Sequence, residues 1–249
     1  MTSIPSTVTT QPSATPEWLP RLEEDGFALI AGAVPPSTVH ALLAALEATT
    51  EGEGVRRREN VYAIRNLLEV VPAVRELARS PEVRALVEPV LGTGACAVRG
   101  ILFDKTPDAN WKVAWHQDLT IAVRERREVE GFGPWSEKAG VVHVQRPAAV
   151  LERMITVRLS LDPCGPENGP VCVIPGSHAH GRLSAGEVQR RRTEEEAVPT
   201  CLPAGGVLLM RPLLLHASSP STSPAHRRVV HLEFAAGELP GGLEWQGRW

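Results

Sequence analysis

Trp115-His116-Gln117-Asp118 is the stretch from which the rest of this chain can be read. In an extended strand successive side chains alternate faces, so His116 and Asp118 point the same way and Gln117 points away. One strand then presents an imidazole and a carboxylate side by side. A third donor is expected at His216, the other histidine that follows a long apolar run, here Val207-Leu208-Leu209-Met210 and Leu213-Leu214-Leu215. Two histidines and one carboxylate on one face of a metal leave its remaining positions open, the donor set of a non-haem Fe(II) centre.

The segments around this stretch read as short strands. Cys96, Val98, Gly100 and Leu102 alternate against Ala97, Arg99, Ile101 and Phe103, which predicts a strand ending at Asp104-Lys105. Asp108-Ala109-Asn110 then turns the chain into Trp111 to Val123, the strand with the metal pair. Residues 124–147, with Gly131, Gly133, Pro134 and Gly140 around Trp135, read as a long irregular loop whose composition favours a lid. In it Trp135, Lys138 and Gln145 are candidates to face a substrate. Further strands are predicted over Met154 to Leu161, Val171 to Ile174, Gly206 to Met210, Leu213 to Ala217 and Arg227 to Ala235, with Gly- and Pro-rich turns between them.

Upstream, Gly26 to Ile30 reads as a strand and Ser37 as the cap of a helix through Val39, Leu42, Leu43 and Leu46. Two more helices follow, Pro72 to Arg79 and one from the Ser80 cap to a stop at Gly92. Glu51 to Arg58 reads as a loop whose Arg56, Arg57 and Arg58 lie in a solvated turn, and Leu183 to Ala197 as a solvated surface segment.

Composition narrows the function. With 249 residues, 43% of them hydrophobic, the chain can build one sizeable core, and its 21 glycines and 22 prolines suit many turns between strands. A net charge of −3 supplies no basic field, which argues against a nucleic-acid partner. Cys96, Cys164, Cys172 and Cys201 contain no Cys-x-x-Cys pair and read as reduced thiols. Residues 1–16, rich in Thr, Ser and Pro, read as a disordered leader before a single domain over 17–249. No run approaches the roughly 20 apolar residues of a membrane span. A cytoplasmic protein acting on a small molecule, with neither nucleic acid nor membrane as partner, is expected; oligomeric state is left open.

Short strands, turn clusters and two metal-bearing strands far apart in sequence fit an all-β core with flanking helices, a double-stranded β-helix or cupin-like jelly roll with ligands at its mouth. Three motifs now carry a resemblance: Trp115 to Asp118; Glu167-Asn168-Gly169-Pro170 through Ile174-Pro175-Gly176-Ser177-His178; and His216-Ala217-Ser218 followed by Arg227. From about Gly26 to Leu239 the chain resembles the phytanoyl-CoA dioxygenase family of Fe(II)- and 2-oxoglutarate-dependent oxygenases. The resemblance implies that His116, Asp118 and His216 bind Fe(II) and act in catalysis. It also implies that an Arg on the last strand, eleven residues beyond the distal His, pairs with the far carboxylate of 2-oxoglutarate. That position is Arg227. Arg228 adjoins it, but strand parity groups Arg228 with Val230, Leu232 and Phe234 and sets Arg227 with His231 and Glu233. Ser218 matches a cosubstrate-contacting position, and Thr156 and Lys112 are weaker candidates.

The implied reaction consumes O2, releases succinate and CO2, and hydroxylates an unactivated carbon of a small metabolite or acyl substrate. Because Asp118 supplies a carboxylate, no coordination position is left for a halide. Desaturation or ring closure, or a non-catalytic cupin-like protein with a structural metal, are the alternatives. His178 and His180 read as a turn, and His143, His226 and His231 as hydrogen-bonded polar residues.

Overall fold

A computed structural model of the protein describes residues 15–59, 61–222 and 225–249. Nearly all of the leader expected over residues 1–16 lies outside them. The described chain forms fourteen strands. In order these are β1 (Phe27–Ile30), β2 (Val55–Arg57), β3 (Val61–Ile64), β4 (Cys96–Lys105), β5 (Val113–His116), β6 (Thr120–Val123) and β7 (Trp135–Lys138). There follow β8 (Val141–Gln145), β9 (Met154–Ser160), β10 (Val171–Val173), β11 (Val198–Pro199), β12 (Val207–Met210), β13 (His216–Ser218) and β14 (Arg227–Ala235). Helices α1 (Leu19–Asp25), α2 (Pro36–Glu47), α3 (Leu67–Val70), α4 (Pro72–Arg79) and α5 (Pro81–Leu91) precede β4, and α6 (Ala148–Leu151) and α7 (Ala185–Glu194) come later.

Three sheets result. The largest has the order β1-β12-β9-β14-β4-β3-β2, the second β11-β10-β13-β5 and the third β6-β8-β7. Neighbouring strands in all three run antiparallel. The first two form the jelly-roll core. One face of the large sheet is apolar: Val230, Leu232 and Phe234 of β14, with Ile155, Val157 and Leu159 of β9, pack in one core with α2 to α5 residues such as Leu42, Leu68, Val74 and Val87. The opposite face carries Arg158, Arg227, His231 and Glu233, all buried, and looks toward the second sheet. Parity along β9 and β14 thus separates a packing face from a chemical face.

The helix ends follow their sequence signals. Pro72 and Pro81 each open a helix, where a missing N–H costs nothing. The Ser80 hydroxyl accepts from Val83 N–H, and Gly92, at φ 79°, ends α5. The helix expected to be capped by Ser37 starts two residues earlier, at Pro36 with Pro35 in the cap position, because the fixed proline φ already suits a first turn. No helix among the described residues is long and apolar enough to cross a membrane.

Five expectations are corrected. The strand expected over Trp111 to Val123 is two: β5 ends at His116 and β6 begins at Thr120, in different sheets. Asp118 N–H donates to Pro212 C=O at 2.9 Å, outside any ladder, which pulls the chain off the sheet between them. Residues 124–147 are not one irregular lid: β7 and β8 pair within them as a hairpin, and Trp135 and Val144 pack with Ile121, Phe132 and Met154. Val55–Arg57, expected in a loop, forms β2 at the edge of the large sheet, its extended form held by pairing to β3. Leu183 to Ala197 contains α7, whose Ser184–Glu187 capping box starts the helix and whose Arg191 is buried against Glu195. Finally, the strand expected over Leu213 to Ala217 is displaced to His216–Ser218, since Leu214 N–H turns back to Arg211 C=O.

Candidate metal centre

β5 and β13 lie side by side, and His116 and His216 are direct cross-strand partners. That single register joins the two distant segments of the sequence. The imidazole centroids are 4.2 Å apart, and Asp118 reaches between them, its Oδ1 3.6 Å from His116 Nε2 and its Oδ2 3.7 Å from His216 Nε2. One ligand atom from each residue lies within 4.8 Å of the others, the one such group of His, Cys, Asp or Glu among the described residues.

The surroundings prepare these atoms for a cation. His116 Nδ1 lies 2.8 Å from Ala114 C=O and His216 Nδ1 2.8 Å from Leu214 C=O. Each Nδ1 therefore donates, which turns Nε2 of each ring toward the centre. Burial opposes charge on His116, but the Asp118 carboxylate beside it outweighs this and raises its pKa. Burial pushes His216 down to about 4, so that ring is neutral at ordinary pH. Burial alone would raise the Asp118 carboxyl, yet His216 and His116 beside it hold it well below the usual range. Asp118 Oδ2 is buried without a hydrogen-bond partner among the described residues, an acceptor that a cation would satisfy.

Gln117 points away from the centre and clamps the backbone. Its amide donates to Gly181 and Leu213 carbonyls at 2.8 and 2.7 Å, and its oxygen accepts from Leu183 N–H at 2.8 Å. Trp115 packs behind the same stretch with Ile174, Leu183 and Leu215.

A pocket runs from this triad across to β14. Arg227 is buried at one end, its Nη1 donating to Gly169 C=O and its Nε without a hydrogen-bond partner among the described residues. Ser218 stands beside it and donates to Gly169 C=O at 3.0 Å. Arg228 points to the opposite side and makes a two-pronged ion pair with Asp162, Nε to Oδ2 at 3.0 Å and Nη2 to Oδ1 at 2.9 Å. Thr156 is buried, its hydroxyl without a hydrogen-bond partner among the described residues; it sits one inward position along β9 from Arg158 and does not line the pocket. Lys112 is exposed and lines a separate groove with Arg192.

His231 and Glu233 take the inward face expected of them, and Lys105, Arg158 and Arg99, which the sequence did not single out, join them around the pocket. Lys105, opposite Arg227 in the β4–β14 ladder, is buried and donates to Ser218 Oγ at 2.5 Å and to Ser219 C=O. Burial, reinforced by Arg227, pushes its ammonium down to about 7, with the Cys164 thiol opposing. Arg158 and His231 sit across the floor, Nη1 to Nδ1 at 2.7 Å, and His231 Nε2 reaches Glu233 at 3.3 Å. Arg99 closes this chain with a 2.9 Å pair to Glu233. The signal was present: each is a charged or polar residue at an inward position of an otherwise apolar strand. His178 and His180 lie in a short 3-10 turn away from the triad, as expected, and His143 and His226 are hydrogen-bonded to Val141 C=O and Asp104.

The geometry invites comparison with known proteins. The phytanoyl-CoA dioxygenase family model matches residues 22–229. No curated protein sequence matches the chain. Among solved structures the chain is similar to the non-haem alpha-ketoglutarate-dependent carbocyclase SnoK from nogalamycin biosynthesis, with TM-score 0.68 and 17% identity over 91% of this chain and 85% of that one. It is similar to EctD from S. alaskensis, solved with 2-oxoglutarate and 5-hydroxyectoine, with TM-score 0.69 and 17% identity over 92% and 79% of the two chains. HygX from Streptomyces hygroscopicus, solved with nickel and 2-oxoglutarate, gives TM-score 0.63 and 18% identity over 90% and 88%. At these identities the likeness establishes the shared fold.

Proposed function

The chain belongs to the phytanoyl-CoA dioxygenase family, and from that premise we propose that His116, Asp118 and His216 hold Fe(II) while Arg227 and Ser218 receive the far carboxylate of 2-oxoglutarate. The observation that carries this reading is the convergence of three metal-ligating atoms, one of them a buried carboxylate oxygen without a hydrogen-bond partner among the described residues, beside a pocket that ends in buried cations. Bound there, Fe(II) and 2-oxoglutarate would supply the O2-dependent hydroxylation of an unactivated carbon of a small-molecule substrate, with release of succinate and CO2.

The chain's own residues supply position and field. Ala114 and Leu214 carbonyls fix both imidazoles by their Nδ1–H groups, and the Gln117 clamp holds the backbone between the ligands. The Arg227 guanidinium keeps its charge in a buried site and can fork two donors onto a carboxylate, and Lys105 adds a third donor next to Ser218. Thr156 stands opposite Glu233 in the β9–β14 ladder, toward the far end of β14 from Arg227, and is therefore left out of the proposed cosubstrate contacts. Phe103, Val113 and Val171 give the pocket apolar walls that exclude water from the reacting carbon. Four free cysteines suit a reducing, cytoplasmic setting, and the net charge of −3 suits a small molecule over nucleic acid.

The purified protein, given Fe(II) and 2-oxoglutarate in air, is expected to form succinate slowly without any added substrate. His116→Ala, Asp118→Ala and His216→Ala should each lose tight Fe(II) binding by calorimetry while keeping the native circular dichroism spectrum. Gln117→Ala, one step removed, should cost in the region of 10- to 100-fold. Wild-type iron affinity in any of the three removes that residue from the centre, and absence of succinate from the iron-loaded wild-type protein overturns the reading.

A further inference from the structure

Phe103 and Trp111 line not only the metal pocket but also a cleft of about 410 Å³ beside it. Strand register explains which side chains reach that cleft. Phe103 of β4 pairs with Ala63 of β3, and Ala63 pairs with Arg56 of β2. Cross-strand partners share a face, so Arg56 stands on the same side as Phe103, whose ring is 5.9 Å from that of His231. Arg65, two residues beyond Ala63, returns to that face.

Arg56, Arg58 and Arg65 all line the cleft. Ala63 and Ala109 keep its floor open, and Tyr62 and Trp111 form an aromatic wall with ring centroids 5.8 Å apart. Arg58 lies 5.9 Å over the Tyr62 ring and donates to Asp108 C=O. None of the ion pairs among the described residues involves Arg56 or Arg65. Burial, then the Arg99 and Arg56 charges, push Arg65 below its ordinary value. Positive charge gathered in a concave site without carboxylates is relieved by an anion.

We propose that this cleft receives the acidic end of the substrate, a carboxylate or phosphate gripped by Arg56 and Arg65, with a planar or apolar part lying against Tyr62 and Trp111. The remainder of the molecule then extends past Phe103 toward the triad. The guanidiniums suit the task because each offers a planar fork to an oxyanion. The identification of this molecule as a substrate rests on the oxygenase reading above; its binding to the cleft does not.

The test uses calorimetry on the metal-free full chain with three probes of similar shape: naphthoate, naphthyl phosphate and neutral naphthylmethanol. At least one acid is expected to bind saturably, about tenfold or more tighter than the alcohol, and to weaken as salt is raised. The tighter acid names the group. Arg56→Gln, at an exposed position that cannot disturb the core, and Arg65→Gln should each lower the affinity for that acid about tenfold. Arg57→Gln, whose side chain faces the other side of β2, should leave it unchanged. Equal binding of acid and alcohol, wild-type affinity in both variants, failure of both acids to bind, or displacement of the acid by 2-oxoglutarate overturns the proposal. Succinate formation by the wild-type protein tests the oxygenase reading separately, so acid binding without succinate would sink that reading and leave this one standing.

Discussion

Arg227 and Arg228 are adjacent in sequence and face opposite sides of β14, so their removal should have different consequences. Arg227→Ala strips a buried charge from the proposed cosubstrate pocket and is expected to raise the Kd for 2-oxoglutarate at least about a hundredfold. Arg228→Ala should leave that Kd within a few-fold but lower stability by about 1–2 kcal/mol through loss of the Asp162 pair. A cosubstrate titration and a urea melt of both variants measure the two effects, and the reverse ranking would exchange their roles. Lys105 adds a dependence on pH. Its ammonium, held to about 7 in the free protein, would have to be protonated to meet a carboxylate. Affinity for 2-oxoglutarate should therefore decline as pH rises above about 7, by up to tenfold per unit, and Lys105→Met should flatten the profile. Linkage also acts on folding. The unfolded lysine titrates near 10.5, so between about 7 and 10.5 the unfolded state binds more protons, and this group makes stability rise with pH. Below that window its destabilising effect is present in full.

At the scale of elements, the β5–β13 register sets the triad and the turn before β10 sets the cationic end. Gly169 holds φ 60°, and a Cβ there would meet Ser219 C=O at 2.3 Å. Its own carbonyl accepts from both Ser218 Oγ and Arg227 Nη1. Gly169→Ala is expected to cost about 1–3 kcal/mol of stability and to weaken 2-oxoglutarate binding together with it. Chemical denaturation and calorimetry on one sample check both, and an unchanged Kd would detach this turn from the pocket. The Glu167-Asn168-Gly169-Pro170 turn was legible in the sequence because Gly and Pro punctuate chains locally. The register was not, since which residue of β5 meets which of β13 depends on how Pro212 holds Asp118 and how Leu214 turns toward Arg211. The hairpin of β7 and β8 escaped for a similar reason: Ser136, Glu137 and Lys138 are polar, and only pairing to Val142 and its neighbours makes them a strand.

For the whole molecule, metal and cosubstrate should act as stabilisers because both would bind only where the two sheets meet. Each at a hundred times its Kd would add about 2.7 kcal/mol, which for a domain of this size raises Tm by about 5–10 °C. Calorimetric melts with and without Fe(II) and 2-oxoglutarate measure this, and Asp118→Ala should show no rise with iron. The sequence by itself determined the class of the fold, the helix ends at Pro72, Ser80 and Gly92, and the candidate donors at His116, Asp118 and His216. Those features depend on neighbours within a few residues, on period-two alternation, or on rare residue types in apolar runs, all of which are written along the chain. Tertiary structure decided that β5 and β6 part company after His116, that Arg158 and Arg99 join the pocket with Lys105 behind Ser218, and that Arg56 and Arg65 share one cleft. Each of those facts turns on which strands pair and in what register, and the free energy of that choice resides in contacts between segments far apart in the chain.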